Sequence, residues 1–438
     1  MRHFSVLSLV LATALIVSGC DAFKSNKEKL PGERISVLAT EKPIEADPAL
    51  ANLNIALPRP YTNRDWPQSG GIPSHSMGHP SLPDALAVKW TAEVGEGASR
   101  YAQMLAGPVV SDGVLYAMDS KSLVSAWNTE SGKKLWETDV APEDDDSQAW
   151  GGGVAFDGGH VYVTSGYGQV LTLNASDGSI KWRVPSGSPL RGAPTIAEGR
   201  IFVITVDNQL QALSAEDGHR LWVYDAIPEP AEIAGSASPA VDGNVVIASF
   251  SSGEIVALRV ENGRVIWSDS LSATRRFDAI STLADIRGRP VIDRGRVYAV
   301  SHSGRMAAID ERTGNRVWEQ DVGGIYAPWI AGEFIYVLST SNELVCLTRA
   351  EGRVRWITQL NSWENIEDKE DPMHWSGPLL AGDRLIAVAS NGQVWSISPY
   401  TGTILGHIEL PEGSFLPPVV ANNSLYLMTD DAELMALR

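Results

Sequence analysis

The sequence predicts an all-β protein, an eight-bladed β-propeller of four-stranded antiparallel blades whose ring is closed by an N-terminal strand. Three observations predict this fold. Tryptophans recur along the chain, every copy of the repeat carries the same anchor positions, and every copy holds four short β-type runs. With 438 residues, 40 glycines and 25 prolines, the chain has the length and the turn residues that such a repeat needs.

The repeat frame is set by a tryptophan, a glycine before it and an anchor residue further back. Six of the tryptophans follow a glycine by four residues and an anchor by 28, and an eighth copy has Gly406 in place of the tryptophan. The recurring tryptophans are Trp90, Trp136, Trp182, Trp222, Trp267, Trp318 and Trp356. The anchors are Pro108, Val154, Pro194, Pro239, Pro290, Pro328, Pro378 and Pro418. So constant a frame predicts one repeated structural unit.

The pattern in each unit predicts four strands separated by turns. In the third unit the runs begin at Ala193, Ile201, Leu210 and Leu221, with the turn signal Asp217-Gly218 before the last. The final unit has three runs before Arg438, and Val88-Lys89-Trp90 supplies the fourth. This closure pairs strand edges that would otherwise be open to other chains.

The connections between units vary from 10 to 23 residues, while the frame inside each unit stays constant. In an up-and-down blade these connections all emerge on one face, so the sequence predicts a binding face there. The two longest are Ser268 to Arg289, with Arg275, Arg276 and Asp285, and the acidic stretch 357–377, with Trp363 and Trp375. An exposed tryptophan among acidic residues favours a partner contact.

The N-terminal residues predict export and lipid attachment. A short basic start precedes the apolar run Phe4 to Val17, which is typical of a signal peptide over residues 1–19. Val17-Ser18-Gly19-Cys20 resembles a bacterial lipobox, which predicts a lipid anchor on Cys20. Residues 20–85 are expected to form the lipidated N-terminus and a flexible tether, in which Trp66 and the stretch 70–73 could contact the domain, and residues 86–438 to form the propeller.

Charge and motifs exclude several functions. The net charge of −18 makes nucleic acid and anionic lipid headgroups poor partners. His75 and His79 are four residues apart, but Pro80 and the surrounding glycines argue against a helical metal pair. Cys346 takes a small-residue position in an inner strand and is expected to be buried and inert. The sequence shows no catalytic motif and predicts no cofactor and no metal site.

The repeat resembles the tryptophan-docking repeats of quinoprotein dehydrogenases, which implies the same fold and raises an enzyme hypothesis. Those enzymes bind pyrroloquinoline quinone with calcium, usually beneath adjacent cysteines. This chain has two cysteines, far apart in sequence, and no pattern that matches their active-site residues. The sequence therefore favours a protein that is not an enzyme, with a quinone-dependent dehydrogenase as the less favoured alternative.

The lipobox, the tether and the eight repeats together resemble the BamB family. The resemblance covers Leu86 to Arg438 and includes the run NQLQALSAEDGHRLW at 208–222. It implies a non-catalytic scaffold lipoprotein of the machinery that assembles outer-membrane β-barrel proteins. In that family, inter-blade connections contact the POTRA domains of the barrel-forming subunit, and nascent outer-membrane proteins are a further candidate partner.

The resemblance also implies contact residues. The family segment Leu-Arg-Gly corresponds here to Ile233-Ala234-Gly235, while a Leu190-Arg191-Gly192 run lies one blade earlier. A second family segment, Asp-x-Asp, corresponds to Asp285 with Arg287 in place of the second carboxylate. The candidate partner-binding residues are Leu190, Arg191, Ile233, Arg275, Arg276 and Asp285.

The resemblance implies an outer-membrane location on the periplasmic side, but the sequence leaves a second location open. Asp21 directly follows Cys20, and in the best-known sorting rule this aspartate favours retention in the inner membrane. An inner-membrane propeller that serves as a scaffold for another envelope complex is therefore the alternative binding hypothesis.

Overall fold

A computed structural model describes residues 44–99, 102–143, 149–229, 233–272 and 285–438. They form eight four-stranded antiparallel sheets, seven of which are continuous in strand order, while the eighth pairs the first strand with the last strands of the chain. The predicted eight-bladed propeller is therefore confirmed. In this part of the chain the one helical element is a short 3-10 helix, Pro48–Leu50, whose first turn is capped by the Asp47 side chain.

The blades follow the repeat frame in order, with an inner strand of mostly three residues at the central channel. Blades 1 and 2 comprise β2–β5 (Val109–Ser111, Val114–Met118, Leu123–Asn128, Lys134–Asp139) and β6–β9 (Gly152–Asp157, His160–Ser165, Gln169–Asn174, Ile180–Pro185). Blades 3 and 4 comprise β10–β13 (Thr195–Ala197, Arg200–Ile204, Gln209–Ser214, Arg220–Asp225) and β14–β17 (Ala240–Asp242, Val245–Ser249, Glu254–Arg259, Val265–Ser270).

The second half of the ring repeats this arrangement and adds one hairpin. Blades 5 and 6 comprise β18–β21 (Val291–Asp293, Arg296–Val300, Met306–Asp310, Arg316–Gln320) and β22–β25 (Trp329–Ala331, Phe334–Leu338, Glu343–Thr348, Val354–Gln359). The hairpin β26–β27 (Trp363–Asn365, Glu370–Pro372) precedes blade 7, β28–β31 (Trp375–Ala381, Arg384–Ala389, Gln393–Ile397, Ile404–Glu409). Blade 8 comprises β32–β34 (Val419–Ala421, Ser424–Met428, Glu433–Leu437) and β1 (Val88–Glu93).

The ring closes as the sequence predicts. Strand β1 pairs antiparallel with β34, with Val88 opposite Leu437 and Glu93 opposite Glu433. The backbone N–H groups of Ala87 and Arg438 each donate to the other residue's carbonyl, at 3.1 and 3.0 Å. Because this pairing occupies the free edge of β34, blade 8 has the same four strands as the other blades.

Neighbouring blades are joined by the recurring tryptophans. At seven blade interfaces the indole lies on the turn glycine of the next blade, so closely that an added Cβ would lie 2.5 to 2.7 Å from the nearest ring or adjacent side-chain atom. The indole N–H usually donates to the carbonyl three residues before that glycine, as Trp318 does to Arg349 at 2.9 Å. The pairs are Trp90–Gly132, Trp136–Gly178, Trp182–Gly218, Trp222–Gly263, Trp267–Gly314, Trp318–Gly352 and Trp356–Gly402.

A segment before blade 1, residues 61–83, lies across one end of the central channel and is called the strap here. In blades 1 to 5 the inner-strand N–H two residues after the anchor donates to a strap oxygen at 2.7 to 3.0 Å. Blades 6, 7 and 8 donate to the strap through the Trp329 indole and the backbone N–H groups of Gly382 and Asn422. The strap therefore bonds every blade and satisfies edge groups that would otherwise face the channel.

The strap changes one expectation from the sequence. Residues 20–85 were expected to form a flexible tether, but residues 44–85 are packed against the propeller. Ile55, Trp66, Met77 and Leu82 are buried in its hydrophobic clusters. These apolar residues are not spaced at a regular interval in the sequence. The segment is irregular and runs along the inner ends of the blades, so its buried residues do not lie on one face of a helix or strand. Residues 20–43 lie outside the described part.

His75 and His79 are held by the strap contacts. His75 Nδ1 lies 2.7 Å from the carbonyl oxygen of Pro290, and His79 Nδ1 lies 2.7 Å from that of Pro58. The other ring nitrogen of His79, Nε2, accepts from the backbone N–H of Asp383 at 3.0 Å. His79 has both nitrogens engaged, so this pair does not form a metal site.

Candidate partner-binding face

The connections from each outer strand to the next inner strand lie at the end of the propeller opposite the strap, and this end is called the loop face here. Several strap contacts fall on turns between first and second strands, such as the Asp112 N–H bond to Asp65 at 2.9 Å. Since strands run up and down within a blade, those turns and the inter-blade connections lie at opposite ends. The candidate partner-binding residues belong to the connections before blades 3, 4 and 5.

Asp285 joins two of these connections. Its carboxylate accepts the backbone N–H of Ile233 at 2.8 Å, and its own carbonyl accepts the N–H of His302 at 2.9 Å. The side chain is only 4% exposed. Burial raises the pKa of Asp285 to about 6, although the Ile233 N–H and the Arg287 guanidinium act in the opposite direction. Asp285 therefore fixes the position of Ile233 from inside the loop face.

Arg287 extends this link to a third connection. Its guanidinium lies 5.6 Å from the centre of the Tyr326 ring, and a Cβ on Gly235 would lie 2.7 Å from its Nε atom. Gly235 has φ +111°, so glycine is required there both for the backbone and for the space that Arg287 takes. The basic residue in place of the family's second carboxylate thus forms a cation–π contact. Tyr326 was not predicted, since it lies 39 residues from Arg287 in a short connection.

The run at 190–192 has a buried and a more accessible member. Leu190 has no exposed surface, packs in the cluster of blades 2 and 3, and donates its N–H to Ser165 at 3.2 Å. Arg191 lies over the Trp150 ring at 4.7 Å from its centre and is half-buried. Leu190 is therefore revised from a candidate contact to a residue that holds the connection, while Arg191 remains a candidate contact.

Asp285 is revised in the same way. Its side chain is buried and holds the loops in position, so it is no longer a candidate contact. Ile233 is half-buried and remains a candidate contact. Arg275, Arg276 and Cys20 lie outside the described residues.

The acidic connection before blade 7 forms the hairpin β26–β27. Its tip is exposed, with Ile366 62% accessible among acidic neighbours. Trp375, expected to be exposed, is only 3% accessible and donates its indole N–H to the Asn361 carbonyl at 2.7 Å. Trp363 is half-buried. The exposed apolar group of this hairpin is thus Ile366, which the sequence pattern did not single out.

The described ranges contain no group of three or more histidine, cysteine or acidic side chains arranged to hold a metal ion. Nor does any helix in these ranges have the length and apolar character to cross a membrane. Cys346 is fully buried, and burial raises the pKa of its thiol well above the usual range, as expected for an inert cysteine.

Solved structures share this architecture. The crystal structure of BamB from Moraxella catarrhalis matches with a TM-score of 0.68 at 21% identity, covering 81% of this chain and 100% of that chain. Quinohemoprotein alcohol dehydrogenase from Comamonas testosteroni matches with a TM-score of 0.67 at 14% identity, covering 85% and 80%. At such low identity these matches show the propeller fold, which scaffolds and enzymes share.

Sequence relatives are more specific. Outer membrane protein assembly factor BamB of Yersinia pestis is 27% identical over 346 residues, covering 70% of this chain and 88% of the relative. The protein of the same name from Escherichia coli (strain K12) is 27% identical over 353 residues, covering 80% and 88%. A family model described as outer membrane protein assembly factor BamB matches residues 120–358. Since that match spans more than half of the 438 residues, the chain belongs to the BamB family.

Proposed function

We propose that this protein is a non-catalytic scaffold in the assembly of outer-membrane proteins, and that its loop face docks the POTRA domains of the barrel-forming subunit. Membership of the BamB family supports the assembly role. The observation that carries the docking site is the link through Asp285 and Arg287, which joins three inter-blade connections on one face. Connections fixed in this way lose little conformational entropy when a partner binds.

The charged groups of this link support a structural role over catalysis. Asp285 accepts a backbone N–H, and Arg287 stacks on Tyr326, so both groups hold loops together. In our proposal the contact surface consists of the parts of these connections that reach solvent, including Arg191 and Ile233. Arg275 and Arg276 extend the same connections in sequence, and we propose them as further contacts.

The anchor is the second part of the proposal. Lipid on Cys20 would hold the protein at the periplasmic side of the outer membrane. Asp21 supports the alternative of inner-membrane retention, which predicts different partners. The two locations are therefore distinguished by the proteins that the scaffold binds.

The test is a mild-detergent affinity purification of the full-length lipoprotein from its native envelope, followed by mass spectrometry. We expect recovery of the barrel-forming subunit that carries POTRA domains. Asp285→Arg and the more accessible change Arg191→Glu should each reduce this recovery. Glu261→Arg is the matched control, since Glu261 is exposed in a turn at the strap end of blade 4 and its charge reversal should leave recovery unchanged.

Two results count against the proposal. Recovery of inner-membrane proteins without the barrel-forming subunit would favour a scaffold of another envelope complex. Equal loss of the subunit in Arg191→Glu and Glu261→Arg, with both variants folded, would move the contact away from the loop face. Because Asp285 is buried, its variant is interpreted only if circular dichroism shows an intact propeller.

A further inference from the structure

The central channel contains a cavity next to the strap, between the inner ends of blades 5 to 8. The empty space at this site is about 420 Å³, with the open solvent at its mouth included. The residues that matter for its chemistry are Trp66 and His75 of the strap with Arg289, Tyr326 and Trp329 of the ring. All five side chains carry polar atoms, and those of His75 and Arg289 each include a buried atom with no hydrogen-bond partner among the described residues.

The first unsatisfied atom is a donor. Arg289 Nη1 donates to Ser69 Oγ at 3.1 Å, but its Nε–H is shielded from solvent and has no hydrogen-bond partner among the described residues. No carboxylate there forms an ion pair with Arg289, and the charged group that influences it is a second cation, Arg287. Burial, with Arg287 as the smaller cause, lowers the pKa of Arg289 to about 10. Arg289 is partly exposed as a residue, but its desolvated charge has no counter-charge among the described residues, which favours an anion beside it.

The second unsatisfied atom is an acceptor. His75 Nδ1 lies 2.7 Å from the Pro290 carbonyl, which can only accept, so Nδ1 carries the proton. Burial, assisted by the charge of Arg289, lowers the pKa of His75 to about 3, which leaves the ring neutral and gives Nε2 a free lone pair. Within the described chain His75 Nε2 is shielded from solvent and unpaired. The cavity thus offers one cationic donor and one neutral acceptor.

We propose that this cavity binds a small oxyanion that carries a proton, with hydrogen phosphate as the representative ligand, between Arg289 and His75. An anionic oxygen accepts from Arg289 Nε, and the hydroxyl of the same ion donates to His75 Nε2. A fully deprotonated oxyanion meets the first requirement only, and water meets both without neutralising the arginine. Because His75 belongs to the strap and Arg289 ends the connection that leads into blade 5, the bound ion also joins the strap to the ring. This binding is independent of the scaffold function proposed above.

The test measures the melting temperature and the calorimetric binding of the full chain at pH 7.5 and constant ionic strength. We expect a saturable rise of the melting temperature with phosphate, a smaller one with sulfate and none with chloride. Phosphate should also slow proteolysis of the strap. A phosphomonoester such as glycerol 3-phosphate serves as a further probe, and its binding would assign the site to the phosphate group of a larger ligand in place of the free ion.

Substitutions of Arg289 distinguish anion binding from a purely structural role of this arginine. Arg289→Met removes the uncompensated cation, so we expect it to be at least as stable as the unaltered chain in phosphate-free buffer and to lose the phosphate response. Arg289→Lys keeps the charge without the Nε–H and should bind phosphate at least tenfold more weakly. Arg294→Met, which alters an exposed arginine paired with Glu333, is the control that should keep the full response.

His75→Asn tests the acceptor. Asparagine tolerates the left-handed backbone at this position, where φ is +62°, but its side chain does not reach the place of Nε2. We expect it to abolish the preference for phosphate over sulfate while a weaker response to both remains. If the unaltered chain and Arg289→Lys show the same small shift with every anion, the cavity holds only water and the proposal is wrong. That comparison also stands if Arg289→Met fails to fold.

Discussion

The interface between blades 7 and 8 differs from the other seven blade interfaces in one feature. At those seven, a tryptophan on one blade covers a turn glycine on the next. Between blades 7 and 8 the tryptophan position is Gly406, and an added Cβ there would meet no atom within 4 Å. A groove of about 320 Å³, including its open mouth, lies at this interface and is lined by Leu86, Ile408 and Leu425 among others.

The difference indicates that the packing of an indole at a blade interface needs both the tryptophan of one blade and the turn glycine of the next. The glycine belongs to the turn between the third and fourth strands of the next blade, and in blade 8 these two strands come from distant parts of the chain. Leu86 therefore stands four residues before Trp90, where the other blades have glycine. Blades 7 and 8 are held instead by aliphatic side chains of one cluster, including Val388, Val394 and Leu427. Burial of apolar surface replaces a specific indole contact there.

The largest expected effect is loss of a docked tryptophan. Trp318 is 9% exposed, donates to Arg349 at 2.9 Å and packs on the Tyr298 ring at 6.1 Å. Trp318→Ala should therefore lower the free energy of unfolding by about 3–5 kcal/mol. Trp363→Ala, on the hairpin outside the blades, is the control and should cost less than about 1 kcal/mol. Chemical denaturation measures both, and equal losses would remove the special role of the docked indole.

A second prediction isolates the glycine. Gly352→Ala places a Cβ 2.5 Å from Trp318 at a backbone φ of +69°. Gly295→Ala is a matched control, because its φ is +74° and no atom lies within 4 Å of the new methyl group. Both variants should lose about 1 kcal/mol from backbone strain, and Gly352→Ala should lose a further 1–3 kcal/mol from the collision. The difference between the two melting curves measures how closely the indole and the glycine fit.

The repeat made the blades predictable, whereas the strap and the buried members of the loop face were not. Every blade meets the same local conditions, so anchors and tryptophans recur in sequence as they do in space. The strap bonds the blades mainly through backbone groups, as Pro73 does to Val241 at 2.8 Å, and backbone groups leave no sequence pattern. Burial of Leu190 and Asp285 follows from contacts across blades, which residue type and loop length do not reveal.

A smaller effect is expected at the closing interface between blades 8 and 1. Glu130 binds Lys89 at 2.5 Å and Arg438 at 3.0 Å, and these hydrogen bonds lower the pKa of its carboxyl. Because the folded pKa lies below that of the unfolded chain, the contribution is complete at neutral pH and is lost as the pH falls through the folded pKa. All three groups are at least partly exposed, so Glu130→Gln should cost no more than about 1 kcal/mol at pH 7 and less in high salt.

The control for Glu130 is Glu137→Gln, which breaks an ion pair with Lys134 inside a single strand of blade 1. That variant should change the melting temperature less than Glu130→Gln does at pH 7. At pH 3 the two variants should differ little from the unaltered chain. A pH-independent loss in Glu130→Gln would mean that packing, and not charge, holds this part of the closure.

At the interface of blades 7 and 8 the tryptophan–glycine pair is absent, and the small effect to be measured there is the coupling between two substitutions. Gly406→Trp puts an indole at the interface of blades 7 and 8, but Leu86 stands where the glycine turn would receive it and the backbone φ of +155° favours glycine, so the free energy of unfolding should fall by about 1–3 kcal/mol. Leu86→Gly alone should be destabilising, since it removes a side chain that packs on the core cluster. If docking needs both partners, the double variant should be more stable than the sum of the single changes by about 0.5–1.5 kcal/mol. If the changes in the free energy of unfolding of the two single variants add up to that of the double variant, the indole and the glycine contribute separately. The other seven interfaces would then not depend on their pairing.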